Sequence, residues 1–156
     1  MLFFVVQCIK AQDSAYFKQK GFVSYQASYD TVWQYFTQKK IPSIDTFMLN
    51  DSLFKLEYRK SDSTQLNRIV EAYYNTHKRQ ITKSYAKAFK KMHGRTWNYR
   101  RVEVIENVRY PMSSNGDKVK VEIYFNHRSK KGVLTYYLWR VNNRWYFIEK
   151  FKIRTD

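Results

Sequence analysis

Lys118-Val119-Lys120-Val121-Glu122-Ile123-Tyr124-Phe125 decides the fold. Val119, Val121, Ile123 and Phe125 alternate strictly with Lys118, Lys120, Glu122 and Tyr124. A period of two is that of a half-buried antiparallel strand, with one face on a core and one toward solvent. Reading upstream, Ser113-Ser114-Asn115-Gly116-Asp117 has hairpin-turn chemistry. Before it, residues 96–110 are rich in Trp, Tyr and Val and end at Pro111, which predicts a preceding strand. Reading downstream, Ser129-Lys130-Lys131-Gly132 makes a second turn, residues 133–141 a third strand, and Asn142-Asn143 a tight link. A last strand then places Trp145, Phe147, Phe151 and Ile153 on one face. Links this short make neighbouring strands antiparallel. The second half of the chain is predicted to be a four-strand antiparallel meander.

Upstream of the sheet the period changes from two to 3.6. Tyr25, Tyr29, Val32, Trp33 and Phe36 recur at spacings of three and four, which predicts an amphipathic helix over 24–39, stopped by Ile41-Pro42. Ser43 is suited to cap a short helical turn carrying Ile44, Phe47 and Met48, and Asn50-Asp51-Ser52 reads as a turn. Phe54, Leu56 and Tyr58 alternate with Lys55, Glu57 and Arg59, which predicts a short strand, with a helical turn as the alternative. Ser63 or Thr64 then caps a long helix whose apolar stripe is Leu66, Ile69, Val70, Tyr73, His77, Ile81, Tyr85, Ala88, Phe89 and Met92, with Gly94 as its stop. At ~1.5 Å per residue that rod is on the order of 40 Å long. It is expected to lie on the apolar face of the sheet, because neither surface is stable in water. The fold class is therefore α+β, with N-terminal helices, one of them long, packed on an antiparallel meander.

The helix pair before the sheet and the closing hairpin Leu134-Thr135-Tyr136-Tyr137-Leu138-Trp139-Arg140-Val141-Asn142-Asn143-Arg144-Trp145-Tyr146-Phe147-Ile148 carry a resemblance. In these features the chain resembles the cystatin-like cone of the nuclear transport factor 2-like superfamily, and its small secreted members from Bacteroidetes-type bacteria. The resemblance covers about residues 24–154 and implies a curved sheet with a concave face. It implies no activity, since that superfamily includes dehydratases, isomerases, transport factors and accessory domains. Its enzymatic members place an Asp and His pair in the cone, and this sequence offers no matching pair.

Composition sets further bounds. A chain of 156 residues with 44% hydrophobic and 27% charged residues has room for one core and is not a disordered polymer. The 14 Tyr, 11 Phe and 4 Trp mean that this core is built from flat, bulky rings. Against 13 acidic residues stand 29 Lys and Arg, a formal charge of +16, which favours anionic partners. At the N-terminus, Met1-Leu2-Phe3-Phe4-Val5-Val6-Gln7-Cys8-Ile9 followed by Lys10-Ala11 and the polar Gln12-Asp13-Ser14 reads as a secretory leader cleaved after Ala11. The alternative for this stretch is a buried N-terminal strand. The leader reading divides the chain into a signal segment 1–11, a polar segment 12–23 and one domain 24–156, with an exported, periplasmic or extracellular location. Cys8 is the only cysteine and would leave with the leader, and Gln7 before it fits poorly with lipoprotein acylation.

Few residues suggest chemistry. His77, His93 and His127 are scattered without metal-ligand spacing, and there is no phosphate-cradling Gly loop or nucleophile motif, so neither a metal nor a cofactor is predicted. Glu149 falls in phase with Trp145, Phe147 and Phe151, and His77 lies on the stripe of the long helix. Together with Tyr73, Tyr85 and Trp139 they are the candidates for a concave ligand-binding face. Two further readings stay open. In the first, Glu149 and His77 serve a small lyase or isomerase as acid and base. In the second, the cation–aromatic run around Lys90, Lys91, Arg95, Arg100 and Arg101 grips an anion, or the phosphates and bases of a nucleic acid in an intracellular or ribosome-associated protein. Lys118, Lys120, Lys150 and Lys152 would add a basic stripe on the polar sheet face. The leading expectation is a non-enzymatic, exported binding or accessory domain for an anionic cell-envelope ligand or a protein partner, with homodimerisation through the sheet as an option and no transmembrane segment.

Overall fold

The computed structural model describes residues 20–50, 52–53, 62–93, 98–106, 118–127 and 129–155. The segment expected to be a leader with Cys8, the strand expected over 54–58, the expected Gly94 stop, Arg95 and the turn expected at 113–117 lie outside the described residues. Helix α1 (Tyr25–Phe36) starts where the Ser24 hydroxyl accepts the Ala27 N–H at 3.1 Å. It stops three residues short of the expected end, where the Thr37 N–H and hydroxyl both turn back to the Gln34 carbonyl. A single 3-10 turn, Asp45–Phe47, follows. Helix α2 (Ser63–Ala72) is capped by Asp62, one residue before the expected cap, because its carboxylate reaches the Gln65 N–H at 2.9 Å. A π-helical segment (Tyr73–Lys78) then leads without a break into helix α3 (Arg79–Met92).

Five antiparallel strands follow: β1 (Asn98–Glu106), β2 (Lys118–His127), β3 (Lys130–Val141), β4 (Arg144–Phe147) and β5 (Lys152–Thr155). The first four are in meander order. The hairpin from β3 to β4 turns on Asn142 and Asn143, both at positive φ (48° and 57°), the pair of left-handed residues that a two-residue hairpin loop requires. The closing strand is divided. Leu138 pairs with Phe147 and Leu134 with Ile153, so residues 148–151 stand opposite only Tyr136 and Tyr137. Two extra residues preserve the alternation, and Phe147 and Ile153 still face one side. The bulge is tied to α3, since the Phe151 N–H donates to the Ser84 hydroxyl at 2.9 Å.

The sheet is buried on both faces. On one face Val121, Ile123, Leu134, Tyr136, Leu138 and Phe147 pack under α1 and α3, which contribute Val32, Phe36, Ile81, Tyr85, Phe89 and Met92. On the other face of β3, Trp139 and Val141 join Tyr146, Ile148, Leu49, Leu53, Val70 and Tyr73 in a second cluster. The long rod therefore does not lie on one face as expected. Its α3 half serves the first cluster and its α2 half the second, and it passes the β4 edge where the Thr82 hydroxyl lies 4.0 Å from Met48 Sδ. Met48 itself bridges Phe147, and Phe22 bridges Trp145, so that edge is covered.

The π segment makes this geometry possible. At about 100° per residue the α2 stripe around Val70 and Tyr73 and the α3 stripe around Tyr85 and Met92 would be out of phase by roughly 90°. One wide turn absorbs about one residue and brings both stripes to the same side of the rod. Close approach also fixes one glycine. A Cβ at Gly132 would collide with the ring of Phe125, its cross-strand partner, so no larger residue fits without moving that ring.

Two buried tyrosines on the first face differ in one respect. Ser28 donates to the Tyr25 carbonyl at 2.6 Å, which leaves its oxygen to accept from the Tyr136 hydroxyl at 2.8 Å. The Tyr85 hydroxyl is buried with no hydrogen-bond partner among the described residues. Tyr136→Phe is expected to cost about 1 kcal/mol of unfolding free energy, and Tyr85→Phe to be neutral or stabilising, since it removes a desolvated donor. Denaturant melts of the two variants check this, and equal losses would contradict it.

Candidate functional site

The polar face of the sheet at its β1–β2–β3 end is organised by register. Glu103 on β1 stands directly opposite Glu122 on β2, an arrangement that destabilises a sheet unless the charges are compensated. They are. Lys120 Nζ lies 2.7 Å from Glu122 Oε1 and Arg101 Nη2 lies 2.9 Å from Glu103 Oε1. Between them the Tyr124 hydroxyl reaches Glu122 Oε2 at 2.9 Å and Glu103 Oε2 at 3.2 Å, donating its proton to the carboxylate pair. The Thr135 hydroxyl donates to Glu122 Oε1 at 3.4 Å. The Arg101 guanidinium also lies over the Tyr124 ring, 4.5 Å from its centroid.

This network corrects the reading of β2 as a strand with one freely solvated side. Glu122 and Lys118 are both 6% exposed. Lys118 lies over the Trp139 indole at 5.2 Å. Burial alone raises the Glu122 carboxyl, but Lys120, Tyr124 and Thr135 stabilise its charged form more, so it titrates below its ordinary value of 4.5. The same hydrogen bond to Glu122, with burial and the two carboxylate charges, pushes the Tyr124 phenol up, so it remains a donor at neutral pH.

Beside the network lies a cavity of about 300 Å³ lined by Arg101, Tyr124, Phe125, Asn126, Lys131 and Gly132. It sits next to an irregularity in β1, where the register shifts between Tyr99 and Arg101 and the extra residue is Arg100. Bulges of this kind re-aim side chains at strand ends. Arg101 and Lys131 bring two cations to the cavity, and Tyr124 and Asn126 bring hydrogen-bonding groups. The Arg101 fork is held on one side by Glu103 and on its face by Tyr124, while its side chain remains 62% exposed. A pre-oriented guanidinium with a neighbouring ammonium suits a small oxyanion.

The sequence-predicted residues fall in several places. Tyr73 and Trp139 belong to the second cluster and Tyr85 to the first, on opposite faces of β3. All three are at most 5% exposed. Burial raises the phenols of Tyr73 and Tyr85, in Tyr73 against a backbone hydrogen bond with Leu49 and in Tyr85 with a contribution from Tyr35. His77 is half-buried in the π segment with its ring stacked 6.3 Å from that of Tyr73. Glu149 is half-buried in the bulge between β4 and β5. Of the expected anion-binding residues, Lys90 is exposed and Lys91 half-buried on α3, and Arg101 lines the cavity. Arg95 and the side chain of Arg100 lie outside the described residues. Sequence reading missed Tyr124, Asn126 and Lys131 as site residues. The signal available for them was the cross-strand pairing of Asn126 with Lys131 next to Gly132, legible only once the register is known.

Among the described residues no group of three or more His, Cys, Asp or Glu is placed to hold a metal ion, and no helix is long and apolar enough to cross a membrane. No protein-family model matches the chain, and no curated protein or solved structure matches it.

Glu122 sets a pH dependence. Its folded-state carboxyl titrates below the unfolded one, so its contribution to stability is complete above 4.5 and is lost as pH falls through the lower folded value. Glu122→Gln is expected to cost about 1–3 kcal/mol at pH 7, with the gap to the unmodified protein narrowing below pH 4.5. Thermal unfolding followed across that range measures it. A constant gap would remove Glu122 as the titrating group.

Proposed function

We propose that this chain is a non-enzymatic, exported binding domain whose ligand is a small anion-bearing molecule held at the β1–β2–β3 end of the sheet. The observation that carries the reading is the cavity flanked by Arg101 and Lys131, with Tyr124 and Asn126 beside them. In this reading the ligand's oxyanion takes the free N–H edge of Arg101, whose orientation is already fixed by Glu103 and Tyr124. Fixing the side chain beforehand reduces the entropy lost on binding. The aromatic rings of the two clusters serve as the platform that holds the sheet rigid beneath the site. The net charge of +16 supports the reading by raising the local concentration of anions. Export rests on the apolar segment before Ala11 and is tested by the N-terminus of the protein recovered from host fractions, expected near Gln12.

Titration calorimetry with inorganic phosphate and with glucuronate as probes tests the site. One of the two is expected to bind with 1:1 stoichiometry. Arg101→Gln should weaken it about tenfold, a loss of ~1.4 kcal/mol, and Lys131→Gln by a smaller factor. Binding that survives Arg101→Gln unchanged, or no binding of either probe, would sink the assignment.

A further inference from the structure

Helix α3 carries a second basic feature that the cavity does not use. Its 14 residues include Arg79, Lys83, Lys87, Lys90 and Lys91, and no acidic residue. At about 100° per residue, Arg79, Lys83, Lys87 and Lys90 fall within an arc of roughly 80°, opposite the buried stripe of Ile81, Tyr85, Ala88, Phe89 and Met92. All four are exposed. Among the described residues no salt bridge or other interaction engages them. They form a straight cationic row about 16 Å long.

Two ordinary explanations do not account for the row. The helix dipole favours cations in the last turn only, which covers Lys90 and Lys91. Arg79 and Lys83 are two or more turns from that end. Solubility needs charge, but a face made for solubility mixes signs, whereas Arg79, Lys83 and Lys87 are successive like charges at i, i+4 and destabilise one another. A row of mutually repelling cations is relieved by a counter-charge of the same linear form.

We propose that the exposed face of α3 is a docking surface for a linear acidic polysaccharide, a chain with carboxylate or sulfate groups repeating along its length. Charge complementarity identifies the partner, and the bare chemistry of the face narrows it. The exposed α3 residues other than cations are Gln80 and Thr82, with no Tyr, Phe or Trp among them. Binding of single-stranded nucleic acid draws on stacking of bases upon aromatic side chains. This face offers charge without stacking, which suits a saccharide polyanion. The inference is independent of the cavity, with which it shares no residue.

Salt-dependent binding to a heparin oligosaccharide, measured by calorimetry and by elution from a heparin column, tests it. The triple variant Lys83→Gln, Lys87→Gln, Lys90→Gln removes three charges from the row. A matched variant, Lys39→Gln, Lys40→Gln, Lys150→Gln, removes three exposed charges elsewhere. Glutamine forms helix nearly as well as lysine, so both should fold, as equal thermal melts would verify. The α3 variant is expected to lose at least tenfold in affinity and to show a flatter dependence on salt, while the matched variant stays within about twofold. Equal losses in both triple variants would reduce the effect to net charge and overturn the proposal. So would a loss confined to Arg101→Gln, or tighter binding of a single-stranded RNA than of heparin.

Discussion

The structure depends on one constraint in strand β3. Successive side chains of a strand must point to opposite faces. In β3 both sets are apolar over part of its length, with Leu134, Tyr136 and Leu138 on one side and Trp139 and Val141 on the other. A strand like this is stable only if both faces are covered. Among the described residues α1 and the long rod do it, the rod serving the first face with α3 and the second with α2 as it crosses the sheet edge. Other features follow from that crossing. The π segment keeps both stripes on one side of the rod, and Phe22 and Met48 close the β4 edge where the rod passes. The closing strand bulges at 148–151 and is fastened to α3 through Ser84.

The polar end of the sheet obeys a different rule. Beyond the second cluster, the outer face of β1 and β2 holds charges, and register places two carboxylates against each other. The Tyr124 hydroxyl between them is the economical solution, since one donor serves both while Arg101 and Lys120 neutralise them from either side. The cost is rigidity, because every member of the network is fixed by its neighbours. That rigidity suits the proposed binding role, and Arg101, 62% exposed, is the member most open to solvent.

Much of this was legible in the sequence. The strand period of β2, the Asn142-Asn143 turn and the 3.6 period of α1 each follow from local patterns that tertiary structure does not override. The split of the closing strand was not legible, because two inserted residues leave the alternation of Phe147 and Ile153 intact. The rod holds a subtler lesson. Tyr73, His77, Ile81 and Tyr85 recur at four, four and four residues, where an α-helix would drift by more than one residue over three turns. That drift is the mark of a wide turn, and it was present in the stripe read as a single helix. The concave-face candidates Tyr73, Tyr85 and Trp139 are aromatic and in phase, which are also the properties of the core residues that they are. Residues of the cavity were invisible for the opposite reason. Tyr124, Asn126 and Lys131 sit at polar positions, and only pairing across strands brings them together.

Where the excess charge resides follows from the same geometry. The chain has 29 basic and 13 acidic side chains. On the outer sheet face four cations are engaged: Lys120 with Glu122, Arg101 with Glu103 and Tyr124, Lys118 over Trp139, and Lys152 over Tyr137 at 5.7 Å. Each is held by a carboxylate or by the negative face of a ring, so the sheet contributes less free positive potential than its lysine count implies. Helix α3 has neither device. Its exposed face carries cations and no acidic residue, and a row of that kind acts most strongly on an anion that extends along it. Of the expected stripe, Lys118, Lys120 and Lys152 are therefore electrostatically muted and Lys150 lies exposed between β4 and β5, while the cationic row of α3 has no counter-charge among the described residues.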